Sequence, residues 1–366
     1  MKKKISVAIV GASGFTGGEI CRILLNHNNI KKIYPISRDK NNFIKKHPNL
    51  ISSNLNFSNI NFLRNNLSKI DCIFLCTKST ESFELAKELL KKNKKIIDLS
   101  SAFRFEKNEN FKKAYGYDIT KRKILKNKIE YGLSEFNKPS IKKADLIANP
   151  GCYAITALYS LAPIINKNFI DTKSPIGIFA INGTTGAGNN PKIEVSHANA
   201  TENVLTYNAD GHRHGPEIED KIQKFFKKKV FIDLNTAHGN FRRGIYLRIN
   251  LNLKKNFRNK INREKIINVF KKYYNNRKKF KFIHILDFKK LLKKNEKEYD
   301  IYPSVNSVVG SNNCIIGIDY DDALGSIKII STTDNLIKGA AGSAIQNMNI
   351  MFKFKEEEAL SKYGIF

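Results

Sequence analysis

The sequence contains no run of about 18 apolar residues, so no helical membrane span is expected. Its five cysteines, Cys21, Cys72, Cys76, Cys152 and Cys314, are odd in number, scattered and never arranged as CxxC. That argues against a disulfide framework or a cysteine-based zinc site, and for reduced thiols in a cytoplasm. Residues 1–5 are basic but run straight into a strand pattern, without the apolar stretch and small-residue end of a signal peptide. Acidic residues are also scarce, 33 against 64 Lys and Arg, for a net charge of +31. Such an excess suits a nucleic-acid partner. Here, however, the cations are mostly Lys spread along the whole chain, without Arg clusters and aromatics interleaved on one element. Compositional drift toward Lys, Asn and Ile accounts for them, and nucleic acid is set aside as a partner. The charge still favours anionic substrates.

A chain of 366 residues, 41% of them hydrophobic, exceeds what one core usually supports, so two domains are expected. The first half alternates strand and helix patterns. Residues 5–10, 33–36, 71–76, 94–100 and 144–149 read as strands, with a helix around 80–92. This is the order of an α/β domain with a parallel sheet, a Rossmann-type dinucleotide-binding domain over 1–150. Past Cys152 the runs at 176–182, 244–251, 280–286, 313–319 and 326–331, with a helix around 262–274, read as a mixed α+β domain over 151–333. Residues 335–352 read as one long apolar helix. The segment 334–366 is expected to complete the first domain. Lys- and Asn-rich stretches at 40–65, 105–128, 252–260 and 287–298 read as loops or exposed faces.

Gly11-Ala12-Ser13-Gly14-Phe15-Thr16-Gly17 lies between the first strand and a helix. Glycines at that position permit a tight turn and close backbone approach, and a helix N-terminus offers unpaired N–H groups to a pyrophosphate. A tight βα turn that needs glycine only for space is the plainer alternative. After the second strand come Ser37, Arg38 and Asp39. Ser37 and Arg38 suit a 2′-phosphate, favouring NADP, while Asp39 keeps NAD open.

Cys152 follows Pro150-Gly151 and opens a helix pattern. A buried cysteine is usually inert, but a thiolate at a helix start is stabilised by the dipole and becomes nucleophilic. Its acid–base partner is sought in residues 211–220, where His212 and His214 precede a helix with Pro216, Glu217 and Glu219 in its first turn. Two histidines two residues apart also suit a metal, but no third ligand cluster lies near, and none is expected. His214 is preferred as the proton donor, and His212 for holding a phosphate or carboxylate. Arg104 follows the fourth strand and is a candidate clamp for such an anion. Residues 183–188 form a second Gly-rich loop, either a phosphate binder or a crossover. His27, His47, His197, His238 and His284 read as structural or exposed, His238 least securely.

The segments GASGFTGGE, DLSSAFR, YGLSE, NPGCY, GTTGAG, GHRHGPEIE, RRGI and DNLIKGAAGSAIQNMN, in this order across nearly the whole chain, resemble the N-acetyl-γ-glutamyl-phosphate reductase family. The resemblance implies a glyceraldehyde-3-phosphate-dehydrogenase-like catalytic domain, NADPH as reductant and a homo-oligomer. It also implies Cys152 as nucleophile forming a thioester, a histidine of the HRH segment as acid–base, Glu217 among the substrate-binding residues and Asn335 among those at the cofactor. A branch that reduces a carrier-linked acyl phosphate is the alternative substrate class. Thr201-Glu202-Asn203 and the intact NPGCY favour the free acetylated substrate. A dinucleotide-binding regulator without catalysis is the rival from another class.

Overall fold

In the computed structural model, residues 4–39, 42–118, 128–189, 193–288 and 296–365 are described. Parts of the expected loops, including 119–127 and 289–295, lie outside them. The chain divides into two units, residues 1–151 with 340–361, and residues 152–339 with 362–366. Segments 334–339 and 362–366 therefore group with the second unit.

The first unit is built from β1 (Ile5–Val10), α1 (Phe15–Leu24), β2 (Ile30–Ile36), short helices α2 (Phe43–Lys46) and α3 (Ile60–Asn65), β3 (Cys72–Leu75), α4 (Ser79–Leu90), β4 (Lys95–Asp98), α5 (Asn108–Tyr115), β5 (Ile129–Tyr131), α6 (Ser134–Ile141) and β6 (Leu146–Ala148). Its six-stranded sheet has the order β2-β1-β3-β4-β6-β5, with every pairing parallel. Every residue of β1 is buried, as a strand covered on both faces requires, and its run Ile-Ser-Val-Ala-Ile-Val shows no alternation.

The second unit contains α7 (Cys152–Leu161), β7 (Ile176–Asn182), α8 (His197–Ala200), β8 (Leu205–Tyr207), α9 (His214–Phe226), β9 (Ile232–His238), β10 (Ile245–Asn252), α10 (Arg263–Tyr273), β11 (Ile283–Leu286), β12 (Cys314–Asp321) and β13 (Ser326–Thr333). Its seven-stranded sheet is mixed, in the order β11-β12-β13-β10-β7-β9-β8. In β10, buried residues alternate with more exposed ones, the signature of a sheet with one covered face.

Three sequence readings need correction. Residues 335–352 do not form one helix. Ile337–Ala341 is a π-helical turn, and α11 (Gly342–Met351) follows it. Nor is α11 simply apolar. All ten of its residues are buried, and its polar ones bond within the first unit: Asn347 donates to the Gly132 carbonyl (2.9 Å), and Gln346 to Glu135 (3.0 Å). Strand β9 escaped the reading because Asp233 and Asn235 interrupt its apolar pattern, and the stretches 40–65 and 105–128 carry the short helices α2, α3 and α5. Among the described residues, no helix is long and apolar enough to cross a membrane.

Candidate active site

In the first unit, the Gly11–Gly17 loop joins β1 to α1. Gly11 has φ +84°, a region L side chains rarely adopt, and a Cβ there would fall 2.6 Å from the Cys76 carbonyl oxygen. A Cβ on Gly17 would fall 2.6 Å from the Gly11 oxygen, so glycine lets α1 start directly against the turn. At Gly14 an added Cβ would make only an ordinary contact, 3.5 Å from the Gly11 carbonyl oxygen. Phe15 and Thr16 open α1, where the first N–H groups have no intrahelical acceptor. Ser37, just past β2, donates to the Ser13 hydroxyl (3.0 Å) and so ties the second strand to the loop. Arg38 is largely exposed and touches Glu81 at 3.5 Å. Asp39 pairs with Lys46 at 3.0 Å, and its amide donates to Ser37 Oγ. His47 is buried under the loop, with Nε2 2.8 Å from the Ala12 carbonyl oxygen, and has the structural place expected of it.

Arg104 is buried. Its Nε donates to the Asn149 carbonyl and an Nη to the Leu99 carbonyl, both at 2.9 Å. It braces the strand ends that lead into Pro150-Gly151. The Asn149 side chain donates to Ser343 Oγ (3.0 Å) and to the Ala340 carbonyl (3.2 Å).

In the second unit, Cys152 is the first residue of α7 and is partly exposed. Of the other thiols, Cys76 is likewise partly exposed. Cys21, Cys72 and Cys314 are buried; burial pushes Cys21 up to about 12, and Cys72 rises for the same reason. Around the first turn of α7 lies an aromatic cluster. The Tyr153 hydroxyl meets that of Tyr207 at 2.8 Å, and the Tyr153 ring lies edge-on to His212 (5.2 Å) and His214 (5.8 Å). The two imidazoles are 4.6 Å apart. His214 begins α9, and its backbone N–H donates to His212 Nδ1 at 3.1 Å. With Nδ1 accepting, neutral His212 carries its proton on Nε2. Burial first, then the charges of Arg213 and His238, lower its pKa to about 3, so it is a neutral N–H donor at pH 7. Glu217, in the first turn of α9, is fully buried.

Three members of this cluster escaped the sequence reading. Tyr207 stacks on His238 at 4.5 Å, and Asn182 is paired with His238 across β7 and β9. Asn182 also hydrogen-bonds the Tyr153 hydroxyl. Only His238 had left a trace in the sequence, through its Gly- and Arg-rich surroundings; strand register brings the other two to it.

The 183–188 loop is anchored rather than a free crossover: Thr184 and Thr185 donate their amides to the Phe241 and Arg242 carbonyls. Asn335 lies behind it, accepting from the Gly244 N–H (2.7 Å) and donating to Thr185 Oγ1 (2.9 Å). Buried Asp334 accepts from the amides of Leu336, Ile337 and Gly310 and pairs with Arg243 at 3.0 Å. This bracing fixes Gly339 against the start of α7, where an added Cβ would lie 2.8 Å from the Cys152 Cβ.

Two family profiles match the chain: the NAD binding domain of semialdehyde dehydrogenase over residues 6–144, and the semialdehyde dehydrogenase dimerisation domain over 152–335. N-acetyl-gamma-glutamyl-phosphate reductase of Campylobacter jejuni is 37% identical over 363 residues, 99% of each chain. The protein of that name from Methanocaldococcus jannaschii is 34% identical, over 98% of each chain. Among solved structures, aspartate semialdehyde dehydrogenase II of Vibrio cholerae has a TM-score of 0.69 at 15% identity, covering 96% of this chain and 99% of its own. The Candida albicans aspartate semialdehyde dehydrogenase with NADP has a TM-score of 0.64 at 14% identity, covering 95% and 98%. At that identity these structures speak for the fold alone, but the full-length relatives say more: the chain belongs to the N-acetyl-γ-glutamyl-phosphate reductase family, built from the two semialdehyde dehydrogenase domains.

Proposed function

We propose that this chain reduces N-acetyl-γ-glutamyl phosphate to N-acetylglutamate 5-semialdehyde and phosphate, in arginine biosynthesis, with NADPH as reductant. The observation that carries the reading is Cys152 at the start of α7, with His212 and His214 packed on the neighbouring Tyr153 ring. A regulator that only bound dinucleotide would have no use for that grouping.

The Cys152 thiolate attacks the acyl-phosphate carbonyl. The bond from carbon to the bridging oxygen breaks, phosphate leaves and a thioester remains on Sγ. His212, donating from Nε2, holds a phosphate or carboxylate oxygen, and Glu217, in the first turn of the same α9, is the further substrate contact. NADPH, when bound, supplies the hydride that reduces the thioester carbonyl. His214 gives a proton to the resulting oxyanion and takes it back as the C–S bond breaks, which releases the aldehyde and restores the thiolate. A positioned acid–base group of this kind contributes about 10²- to 10⁴-fold.

The tight Gly11–Gly17 turn, the first amides of α1 and the Ser13–Ser37 hydroxyl pair fit a dinucleotide's phosphates and ribose. Arg38 would meet the 2′-phosphate. Its surface contact with Glu81 is weak and easily exchanged. Asp39, held by Lys46, is less available to a ribose hydroxyl. Asn335 remains a candidate at the cofactor. The dimerisation-domain match supports a homo-oligomer, and the free cysteines suit a reducing cytoplasm.

The test is the reverse reaction, with semialdehyde, NADP and phosphate, followed by the absorbance of NADPH. Wild type turns over. Cys152→Ser loses nearly all turnover while still binding NADPH in a fluorescence titration. Substantial residual activity in that variant would remove Cys152 as nucleophile.

A further inference from the structure

The second unit carries a cavity of about 1180 Å³, lined from the β7 approach, the end of β10 and the start of β13. Strand register separates it from the aromatic cluster. Asn252 of β10 pairs with Ser326 at the cavity, whereas Ile245, at the other end of the strand, pairs with Asn182 and Thr333. Seven residues of strand amount to about 23 Å.

Six cations line this cavity: Lys173, Lys228, Lys254, Lys255, Arg258 and Lys328. Among the described residues none of them is in a side-chain ion pair. Lys254 Nζ donates to the Asn168 carbonyl (2.6 Å) and Lys328 Nζ to Ser326 Oγ (3.0 Å); both are neutral acceptors. One carboxylate, Asp171, is in the lining, and it is engaged locally by the Lys173 amide and the Ser174 hydroxyl, both at 2.9 Å. The Arg258 side chain lies across Gly325, where an added Cβ would meet its Cγ at 2.7 Å, so the turn's glycine makes room for it. Elsewhere on this lysine-rich surface cations do find acids, as Lys87 finds Glu84 and Lys138 finds Glu356.

Like charges gathered round one concavity focus a positive potential and repel each other, and a multivalent anion relieves both. The lining also limits the class of anion. Its apolar members are Leu253 and Leu324, and it contains no aromatic side chain. A stacking platform for bases is therefore lacking, which disfavours nucleotides and single-stranded nucleic acid. The volume suffices for a ligand with several phosphoryl groups.

We propose that this cavity is a binding site for a small polyphosphate anion, recognised by its charge and not by a base, and separate from the reductase centre. The inference does not rest on the catalytic reading.

The experiment is calorimetric titration of the full chain with inorganic tripolyphosphate, with orthophosphate, ATP and duplex DNA in parallel. Tripolyphosphate should bind more tightly than orthophosphate, and ATP no more tightly than tripolyphosphate. Reversing two exposed lining charges, Lys173→Glu with Lys255→Glu, should weaken tripolyphosphate at least about tenfold. The same reversal at exposed Lys112 and Lys113 on α5 should leave it unchanged, and both double variants should keep wild-type reductase activity. Equal weakening in the α5 variant would reduce the effect to overall charge and overturn the proposal. So would unchanged binding in the cavity variant, or no preference over orthophosphate. ATP binding far more tightly than tripolyphosphate, or DNA binding lost in the cavity variant alone, would assign the surface to another class.

Discussion

At Gly339 a single missing methyl group sets the space available to the Cys152 side chain. An added Cβ would sit 2.8 Å from the Cys152 Cβ, and Asp334 and Asn335, each hydrogen-bonded on both sides, prevent the turn from retreating. Gly339→Ala should therefore displace Cys152 rather than the turn. Misplacement on the ångström scale can cost about 10²-fold in rate. We expect a fall of that order in kcat, a slower and shifted pH profile of Cys152 alkylation, and unchanged NADPH affinity; an unchanged alkylation profile would show that the turn yields instead. His212 makes a prediction about acid stability. Its folded pKa, lowered to about 3, lies below the ordinary histidine value of 6.5, so between those limits the unfolded chain binds more protons. Stability should fall as the pH drops through that window. His212→Asn should flatten the slope in denaturant titrations at successive pH values, and an identical slope would place the sensitivity elsewhere.

Among the elements, β2 and the turn that leads into α1 meet at Ser37 and Ser13. Arg38 extends from that junction toward solvent, its side chain 87% exposed. Arg38→Leu should narrow the preference for NADPH over NADH, read as the ratio of the two kcat/KM values, with little change in stability because a surface pair is worth at most about 1 kcal/mol. An unchanged ratio would move the discrimination to Ser37 or to another residue. The elements most legible in the sequence were β1, β7, β10 and α10, whose apolar patterns match their burial. The π-helical turn before α11 was not legible. Its residues read as good helix continuation, and only the grip on Asp334 and the packing against Cys152 reveal the extra residue in the turn.

For the whole molecule, the net charge of +31 bears on substrate choice, because a basic enzyme attracts an acidic carrier protein by steering. Most of the 64 Lys and Arg are dispersed, the six of the cavity lie at the Asn252 end of β10 and away from the aromatic cluster, and Thr201-Glu202-Asn203 stands in an exposed turn. Offered both semialdehydes at equal concentration in the reverse assay, the enzyme should prefer the free acetylated one. Preference for a carrier-linked form, abolished by salt, would reverse the assignment. The sequence by itself determined the two-sheet architecture and the glycine turn before α1, and it singled out Cys152, His212 and His214 by their positions. Each is local: a turn that needs φ above zero, a residue at a helix start, two side chains two positions apart. Only the tertiary structure decided that Tyr207, Asn182 and His238 surround Tyr153, that Gly339 abuts Cys152, and that six lysine and arginine side chains share one cavity. Those neighbours come from strands and loops far apart in the chain, and their approach is set by strand register and by space, which a linear pattern of polar and apolar residues does not encode.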